Sequence, residues 1–378
     1  MWGDRELNRN DVEILCCSRL FRKEEIIILE KIYSDLNDLS DKGKLNEINN
    51  SLYSDFSCSF PQLDISGIEL KISRFLERKR DIESVIEETK KREDIKIISF
   101  FDEMFSEYLG NIPDCPTALF ARGDMSLFNS GRNIACVGSR KYSNYGKYSV
   151  EKIIPGLCEY GFNIISGLAY GIDSLSHNEA LNSEGKTVAI LGCGLDVVYP
   201  KSNRNLYRRI VENGLILSEY FPDEEPRKYY FPERNRIISG ISRGVVVFEA
   251  SIRSGSLITA RCALEQNREV FAIPGPINSS FSEGTNYLIR KGAKLTSSVE
   301  DIVDEFSFVE KKSKIQKISE EVLSENELKI YNLIKKGLRN IDGIVEKSDM
   351  SISEINTVIS MLSIKGIIFN SGTELKIL

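Results

Sequence analysis

The residues best placed to do chemistry stand where short apolar runs stop. Ile134-Ala135-Cys136-Val137 ends at Gly138-Ser139-Arg140, and Ile164-Ile165 ends at Ser166-Gly167, with Gly171-Ile172-Asp173 close behind. A glycine there lets the backbone approach an anion, a serine donates a hydrogen bond, and an arginine offers a forked charge. Such turns at strand ends cradle phosphate groups. Ser254-Gly255-Ser256 is a third small-residue turn. It either holds another phosphate or caps the helix that follows. Lys201 follows Pro200 as a loop cation and is a candidate phosphate contact. Phe231-Pro232-Glu233-Arg234-Asn235-Arg236 sets two arginines and an amide at a helix start. Arginine forks stack on bases and pair with phosphates; the plainer reading is a helix start salt-bridged to Glu233.

Other chemistries find less support. Asp173 reads as a helix N-cap rather than a catalytic acid. His177 lies four residues on, on the same helix face, and reads as a packed histidine. Gly192-Cys193-Gly194 opens like a G-x-G-x-x-G fingerprint, but Val197 stands where the last glycine is needed. No Walker loop and no Ser-His-Asp order occurs. The eight cysteines form no C-x-x-C pair and there is one histidine, which disfavours a zinc site. No cofactor and no metal are expected. Cysteines set in apolar patterns read as reduced core residues of a cytoplasmic protein. The charged start of the chain and the lack of a long apolar run predict neither a signal peptide nor a membrane span.

These turns need a scaffold, and the pattern supplies one. Residues 96–318 hold 19 of the 26 glycines and alternate strand and helix. Apolar strands are predicted at Ile134–Val137, Phe162–Ile165, Thr187–Leu191, Leu215–Ser218, Gly244–Phe248 and Glu269–Ile273. Helices are predicted at Tyr148–Tyr160, Ile172–Ser183, Asn205–Glu212, from Arg236, at Ser256–Gln266 and at Asn286–Lys291. Continuous apolar strands alternating with helices imply a mostly parallel, doubly wound α/β sheet buried on both faces. The organisation reads as an N-terminal helical domain at 1–95 and a Rossmann-like domain at 96–306. A charged linker at 307–324 and a domain at 325–378 follow. In the first, Glu24–Leu36 and Ile68–Lys91 carry helical periodicity and 37–55 breaks it. In the last, three helices and a β-like end in about 60 residues suggest a winged helix.

The net charge of −6 lacks the strongly basic footprint of a duplex binder. Two basic strips remain. Lys201, Arg204, Arg208 and Arg209 have no acid among them; Arg227, Lys228, Arg234, Arg236 and Arg243 face Glu233 alone. Concentrated strips on an acidic protein suit a nucleic acid held in a groove, or are simply solvated helix faces.

The middle segment as a whole resembles the DprA/Smf family of bacterial DNA-processing proteins. The resemblance rests on Gly138-Ser139-Arg140, on Ser166-Gly167-Leu168-Ala169-x-Gly171-Ile172-Asp173, and on the stretch from Gly185-Lys186-Thr187 to Tyr199-Pro200. It continues through Arg234-Asn235-Arg236-Ile237-Ile238-Ser239-Gly240, Ser254-Gly255-Ser256-Leu257-Ile258-Thr259-Ala260 and Pro274-Gly275. It covers roughly residues 110–305. It implies an extended Rossmann fold that binds single-stranded DNA without a cofactor and is not an enzyme. It also implies a homodimer, and loading of a RecA-type recombinase onto incoming DNA in natural transformation. The implied DNA contacts are Gly138, Ser139, Arg140, Ser166, Gly167 and Lys201, with Arg234, Asn235 and Arg236 matching a further motif. The rival class is a nucleotide-binding or nucleotide-hydrolysing Rossmann enzyme, which needs a carboxylate at the strand ends; Asp173 and Glu249 are its candidates. Residues 1–95 lack the family's Gly-Ile-Gly hairpin. The tail resembles the family's winged helix, but its groove helix, Ser351 to Leu362, holds Glu354 and no cation. A protein contact suits it better than duplex DNA.

Overall fold

The continuous apolar runs form the centre of a nine-stranded sheet in a computed structural model. It describes residues 7–33, 35–40, 65–306, 324–335, 338–348, 350–364, 368–370 and 375–377. The chain divides into two compact units, Met1–Val309 and Glu310–Leu378.

In the first unit the strands are β1 (Lys96–Ser99), β2 (Ala118–Gly123), β3 (Asn133–Val137), β4 (Asn163–Ser166), β5 (Thr187–Leu191), β6 (Leu215–Ser218), β7 (Gly244–Val247), β8 (Glu269–Ala272) and β9 (Lys294–Leu295). Their spatial order is β1-β2-β6-β5-β4-β3-β7-β8-β9. From β6 to β9 every pairing is parallel; β1 and β2 add antiparallel pairings at one edge. Every residue of β3, β4, β5, β6 and β7 is buried, as strands covered on both faces must be. The two antiparallel strands were not foreseen. The four residues of β1 show no sustained alternation, and their register with β2 is a tertiary fact.

Among the described residues of the first unit the helices of eight residues or more are α1 (Arg9–Cys17), α2 (Lys23–Ile32), α3 (Ile65–Lys90), α4 (Asn144–Glu159), α5 (Ile172–Asn182), α6 (Arg204–Asn213), α7 (Tyr230–Gly240), α8 (Ser256–Glu265) and α9 (Glu283–Arg290). α4 starts four residues before the expected point because Ser143 caps it, accepting from the Gly146 N–H at 3.1 Å. α7 starts six residues early, so Arg234 and Arg236 lie within it rather than before it. The N-terminal helices share a buried cluster with the sheet. Leu15, Ile26, Leu29, Phe75 and Ile86 join Phe120 of β2, Leu191 of β5 and Ile216 of β6. The expected break at 37–55 falls mostly outside the described residues, which cover a 3-10 turn at Leu36–Ser40. Among the described residues no helix is long and apolar enough to cross a membrane.

The second unit has its own core of Ile330, Ile334, Ile344, Ile355, Ile359, Leu362, Ile368 and Leu375. Helices α10 (Glu325–Lys335), α11 (Ile341–Lys347) and α12 (Ile352–Ile364) precede an antiparallel pair, β10 (Ile368–Asn370) and β11 (Leu375–Ile377). Glu354 closes a capping box on α12: its carboxylate accepts the Ser351 N–H at 2.8 Å, and the Ser351 hydroxyl accepts the Glu354 N–H at 3.3 Å. Of the expected linker, residues 307–323 lie outside the described residues.

Candidate nucleic-acid interface

The strand order reverses at β3. The chain proceeds from β3 through β4 and β5 to β6 on one side, then returns to β7, β8 and β9 on the other. A crevice opens outside the carboxyl ends of strands at such a switch point, and ligands bind there. Here it is a cavity of about 490 Å³ whose lining includes Gly138, Ser139, Arg140, Lys141, Lys228 and Phe231. Asp173, Arg234, Asn235, Ser254, Gly255 and Ser256 also border it.

The rim is cationic. Arg140, Lys141 and Lys228 are exposed. Arg140 reaches over Phe231, with its guanidinium carbon 5.5 Å from the ring centroid. Phe231 in turn lies 5.4 Å from the ring of Tyr199, itself 41% exposed. Gly138 is required by packing, since a Cβ there would lie 2.7 Å from the Ile172 side chain. The Ser139 backbone is fully engaged: its N–H donates to the Glu249 carbonyl at 2.8 Å and its carbonyl accepts from the Ile172 N–H at 3.1 Å. Its hydroxyl accepts the Lys141 N–H at 3.3 Å. Asn235 bridges to the third turn, donating to the Gly255 carbonyl at 3.4 Å. Gly255 itself has an ordinary right-handed backbone (φ −61°, ψ −22°), and nothing lies within 4 Å of a Cβ built on it.

The floor is a buried polar network, complete but for Nε2 of His177 and the Ser176 hydroxyl, which have no hydrogen-bond partner. The Ser166 hydroxyl donates to the Cys136 carbonyl at 2.7 Å, and the Gly167 N–H donates to the Asp173 carboxylate at 3.1 Å. Arg234, 3% exposed, donates to the Gly167 carbonyl at 2.7 Å and to the Ile190 carbonyl. Burial pushes the Asp173 carboxyl pKa up, opposed by the charge of Arg234 and by hydrogen bonds from the backbone of Ala169 and Gly167. Burial likewise pulls the Arg234 guanidinium down, and Asp173 opposes it. His177 is fully buried 2.6 Å from the Thr187 hydroxyl, which donates to the Ile164 carbonyl at 2.6 Å. The hydroxyl proton being so committed, Nδ1 of His177 carries the donated hydrogen. Burial, with a smaller push from Arg234, drives its pKa to about 3.

Several expectations are corrected. Arg234 is not a surface contact: its guanidinium is spent on two strand-end carbonyls beneath the crevice. Arg236 faces away from the crevice lining, paired with Glu219 at 2.7 Å and Asp114 at 3.2 Å. Asp173 lies one residue inside α5, whose N-cap is Gly171. Ser166 is fully buried, and Gly167 is crowded by Arg234, 2.5 Å from a Cβ built there. Lys201 is exposed outside the crevice lining. Its turn is tied back by Asn203, which donates to the Leu168 carbonyl at 3.0 Å. The Phe231–Tyr199 contact carries the crevice edge toward it. His177 is packed, as expected. Lys141 and Lys228 were missed as crevice residues, although Lys141 follows Arg140 directly and Lys228 lies in the second basic strip.

The two helix N-termini nearest the switch point are already occupied by acids. The buried Glu249 carboxylate accepts both the backbone N–H and the hydroxyl of Ser143 at the start of α4. Asp173 sits in the first turn of α5. An incoming anion is therefore met by the rim side chains and by the start of α8, whose first turn carries no acid. Among the described residues no group of three or more histidine, cysteine or carboxylate side chains is arranged to hold a metal.

A family model described as DNA recombination-mediator protein A matches residues 96–307. The chain is 50% identical over 210 residues to DNA processing protein DprA of Streptococcus pneumoniae, covering 56% of this chain and 74% of that protein. It is 43% identical over 211 residues to DNA processing protein DprA of Bacillus subtilis, covering 56% and 71%. The X-ray structure of the Streptococcus pneumoniae protein superposes with a TM-score of 0.61 at 37% identity, over 79% of this chain and 98% of the other. A structure of DNA processing protein A from Helicobacter pylori, described for its single-stranded DNA binding mode, gives 0.51 at 31% identity over 56% and 94%. With its crevice at the strand-order reversal and a family match across the whole sheet, this chain belongs to the DNA recombination-mediator protein A family.

Proposed function

We propose that this protein binds single-stranded DNA in the crevice outside β3 and β7 and presents it to a RecA-type recombinase during natural transformation. One observation carries the reading. A cationic, aromatic rim surrounds a crevice at which the two candidate acids are engaged internally, Asp173 by the Gly167 N–H and Glu249 by Ser143. Phosphate attraction is present, and the acid a nucleotide hydrolase needs is not free. The protein acts as a DNA-binding scaffold, not as an enzyme, and needs no cofactor. Arg140 is the principal phosphate contact, with Ser139, Ser254 and Gly255 beside it and Lys201 further along the strand. Ser166 and Gly167 shape the floor, where Arg234 holds them; Asn235 links two walls. The relatives' names and the Helicobacter pylori structure support strand binding and DNA processing.

The organisation proposed is a helical segment at 1–95, the DNA-binding sheet at 96–306, a linker at 307–324 and a winged helix at 325–378. The last would serve a protein contact. A cytoplasmic homodimer is the working form.

The test compares oligo-dT, a duplex of the same length and free nucleotides, at several salt concentrations. Oligo-dT should bind best, and log affinity should fall with log salt by about 0.7 for each phosphate contacted. A flat salt response, or equal affinity for the duplex, would overturn the reading. Co-precipitation with the host recombinase on oligo-dT tests the loading role.

A further inference from the structure

The start of α4 carries a feature the crevice does not account for. Directly after Arg140 the chain runs Lys141-Tyr142-Ser143-Asn144-Tyr145-Gly146-Lys147-Tyr148, and Lys152 follows a turn later. Tyr142 and Tyr145 are each 42% exposed and Tyr148 is 60% exposed. Tyr145 and Tyr148 are three residues apart on α4, so they stand on one face roughly 4.5 Å apart along its axis. Lys141 and Lys147 flank the rings, against one acid, Glu151, which pairs with Lys147 at 3.5 Å, and Lys152 follows with its ammonium donating to the Ser297 carbonyl at 3.2 Å. Tyr145 is held in place by its hydroxyl, which donates to the Pro274 carbonyl at 2.7 Å. Its ring is thus pre-ordered, and stacking on it costs little further side-chain entropy.

Tyr145 is anchored through its hydroxyl, but among the described residues no hydrogen bond or ring contact engages the side chain of Tyr142 or Tyr148. Tyrosine half in solvent leaves a face open. Rings interleaved with lysines are what a single strand uses: the cations track the phosphates and successive bases stack on the rings, whatever their sequence. A duplex hides its base faces and gains nothing here. We propose that a single strand seated in the crevice continues along α4, stacking bases on Tyr142, Tyr145 and Tyr148. The inference rests on the strand-binding reading above and adds a second, stacking segment to the phosphate-reading one. The α4 segment follows the crevice-lining Arg140 and Lys141 directly in the chain, and its lysines are complementary in charge to DNA.

The experiment measures affinity against oligo-dT length, from about 4 to about 16 nucleotides, the span of single-strand site sizes. The proteins are the wild type, the double variant Tyr142→Ser/Tyr148→Ser and the control Tyr148→Phe. Wild-type affinity should climb by about fivefold or more for each base that reaches a ring. The double variant should match wild type on the shortest strand and keep, on long ones, only the step that Tyr145 supplies. Tyr148→Phe should behave as wild type, because the ring and not the hydroxyl stacks. A long strand carrying abasic sugars removes all three stacks and should bring wild type to the level of the double variant or below it. Identical length curves for wild type and double variant overturn the proposal, whether α4 is then bare or meets a protein. So does a climb that survives on the abasic strand, which would make it purely electrostatic. Failure of wild type to bind even the shortest strand overturns the crevice reading itself, and this proposal with it.

Discussion

Arg140 and Arg234 border the same crevice and do opposite jobs. Arg140 is exposed at the rim, leaning on Phe231; Arg234 is buried in the floor, bonded to the carbonyls that end β4 and β5. The floor spends Arg234, Asp173 and Ser166 on one another and on strand-end backbone groups, and leaves His177 Nε2 buried without a partner. The rim leaves charge and ring faces unspent. A crevice of this kind separates the groups that hold its shape from the groups that meet a ligand, and burial draws the boundary. Substitutions in the floor should therefore read out as stability, and substitutions at the rim as binding.

The largest break in that comparison comes from Arg234→Ala. It strips two strand-end carbonyls of their donor and leaves the buried Asp173 carboxylate without the charge that supports it. Removing one side of a buried charged network costs about 3–5 kcal/mol. Urea unfolding of the variant should show a loss of that order. A stability within about 0.5 kcal/mol of wild type, the range of ordinary surface changes, would show that the floor is not held by Arg234.

Arg140→Ala is the counterpart. It should leave the unfolding midpoint where it was and weaken oligo-dT binding by about 1–3 kcal/mol, as loss of a charge-assisted contact does. The salt dependence should flatten by about 0.7 in log–log slope, one phosphate contact fewer. Loss of stability without loss of binding would move Arg140 from the rim to the floor.

Which arginine is which could not be read from the chain. The turns at Gly138-Ser139-Arg140 and Ser166-Gly167 were legible because an apolar strand followed by small residues has few other uses in an α/β sheet. The parallel centre was legible for the same reason. Arg234, Asn235 and Arg236 looked alike in sequence, and three consecutive residues of a helix point in three directions. One enters the floor, one spans two walls, and one turns away to Glu219. Glu249, which caps α4 from 106 residues away through Ser143, has no local signal at all. The packing of the N-terminal helices on β2, β5 and β6 was likewise invisible, since helical periodicity shows an apolar face but not what covers it.

The floor should also reveal itself through pH. His177 has its pKa lowered to about 3 in the folded protein, against an unfolded value of about 6.5. The unfolded chain thus binds a proton that the folded chain refuses. The stability tied to a neutral His177 is complete above pH ~6.5 and is lost as pH falls toward about 3, at about 1.4 kcal/mol per pH unit. His177→Asn keeps a donor for the Thr187 hydroxyl and removes the titration. Its unfolding free energy should fall less steeply than that of wild type between pH 6.5 and 5, by about 2 kcal/mol in all. Parallel curves would mean that His177 is protonated in place, and that the floor is wetter than its burial implies.

The smallest effect sharpens the comparison most, because its two halves have opposite signs. Most crevice glycines are demanded by packing: a Cβ at Gly138 would strike Ile172, and one at Gly167 would strike Arg234. Gly255 is not so constrained. It starts α8 with an ordinary right-handed backbone and open space where a side chain would go. At such a position Gly→Ala restricts the unfolded chain without straining the folded one, and stabilises by about 0.4–1 kcal/mol. The fold alone therefore favours alanine. If Gly255 instead lets a phosphate reach the acid-free start of α8, a methyl group there holds the phosphate away. Gly255→Ala should raise the unfolding midpoint and at the same time weaken oligo-dT binding by a few-fold. A gain in stability with unchanged affinity would remove Gly255 from the rim and leave the α8 start as a plain cap.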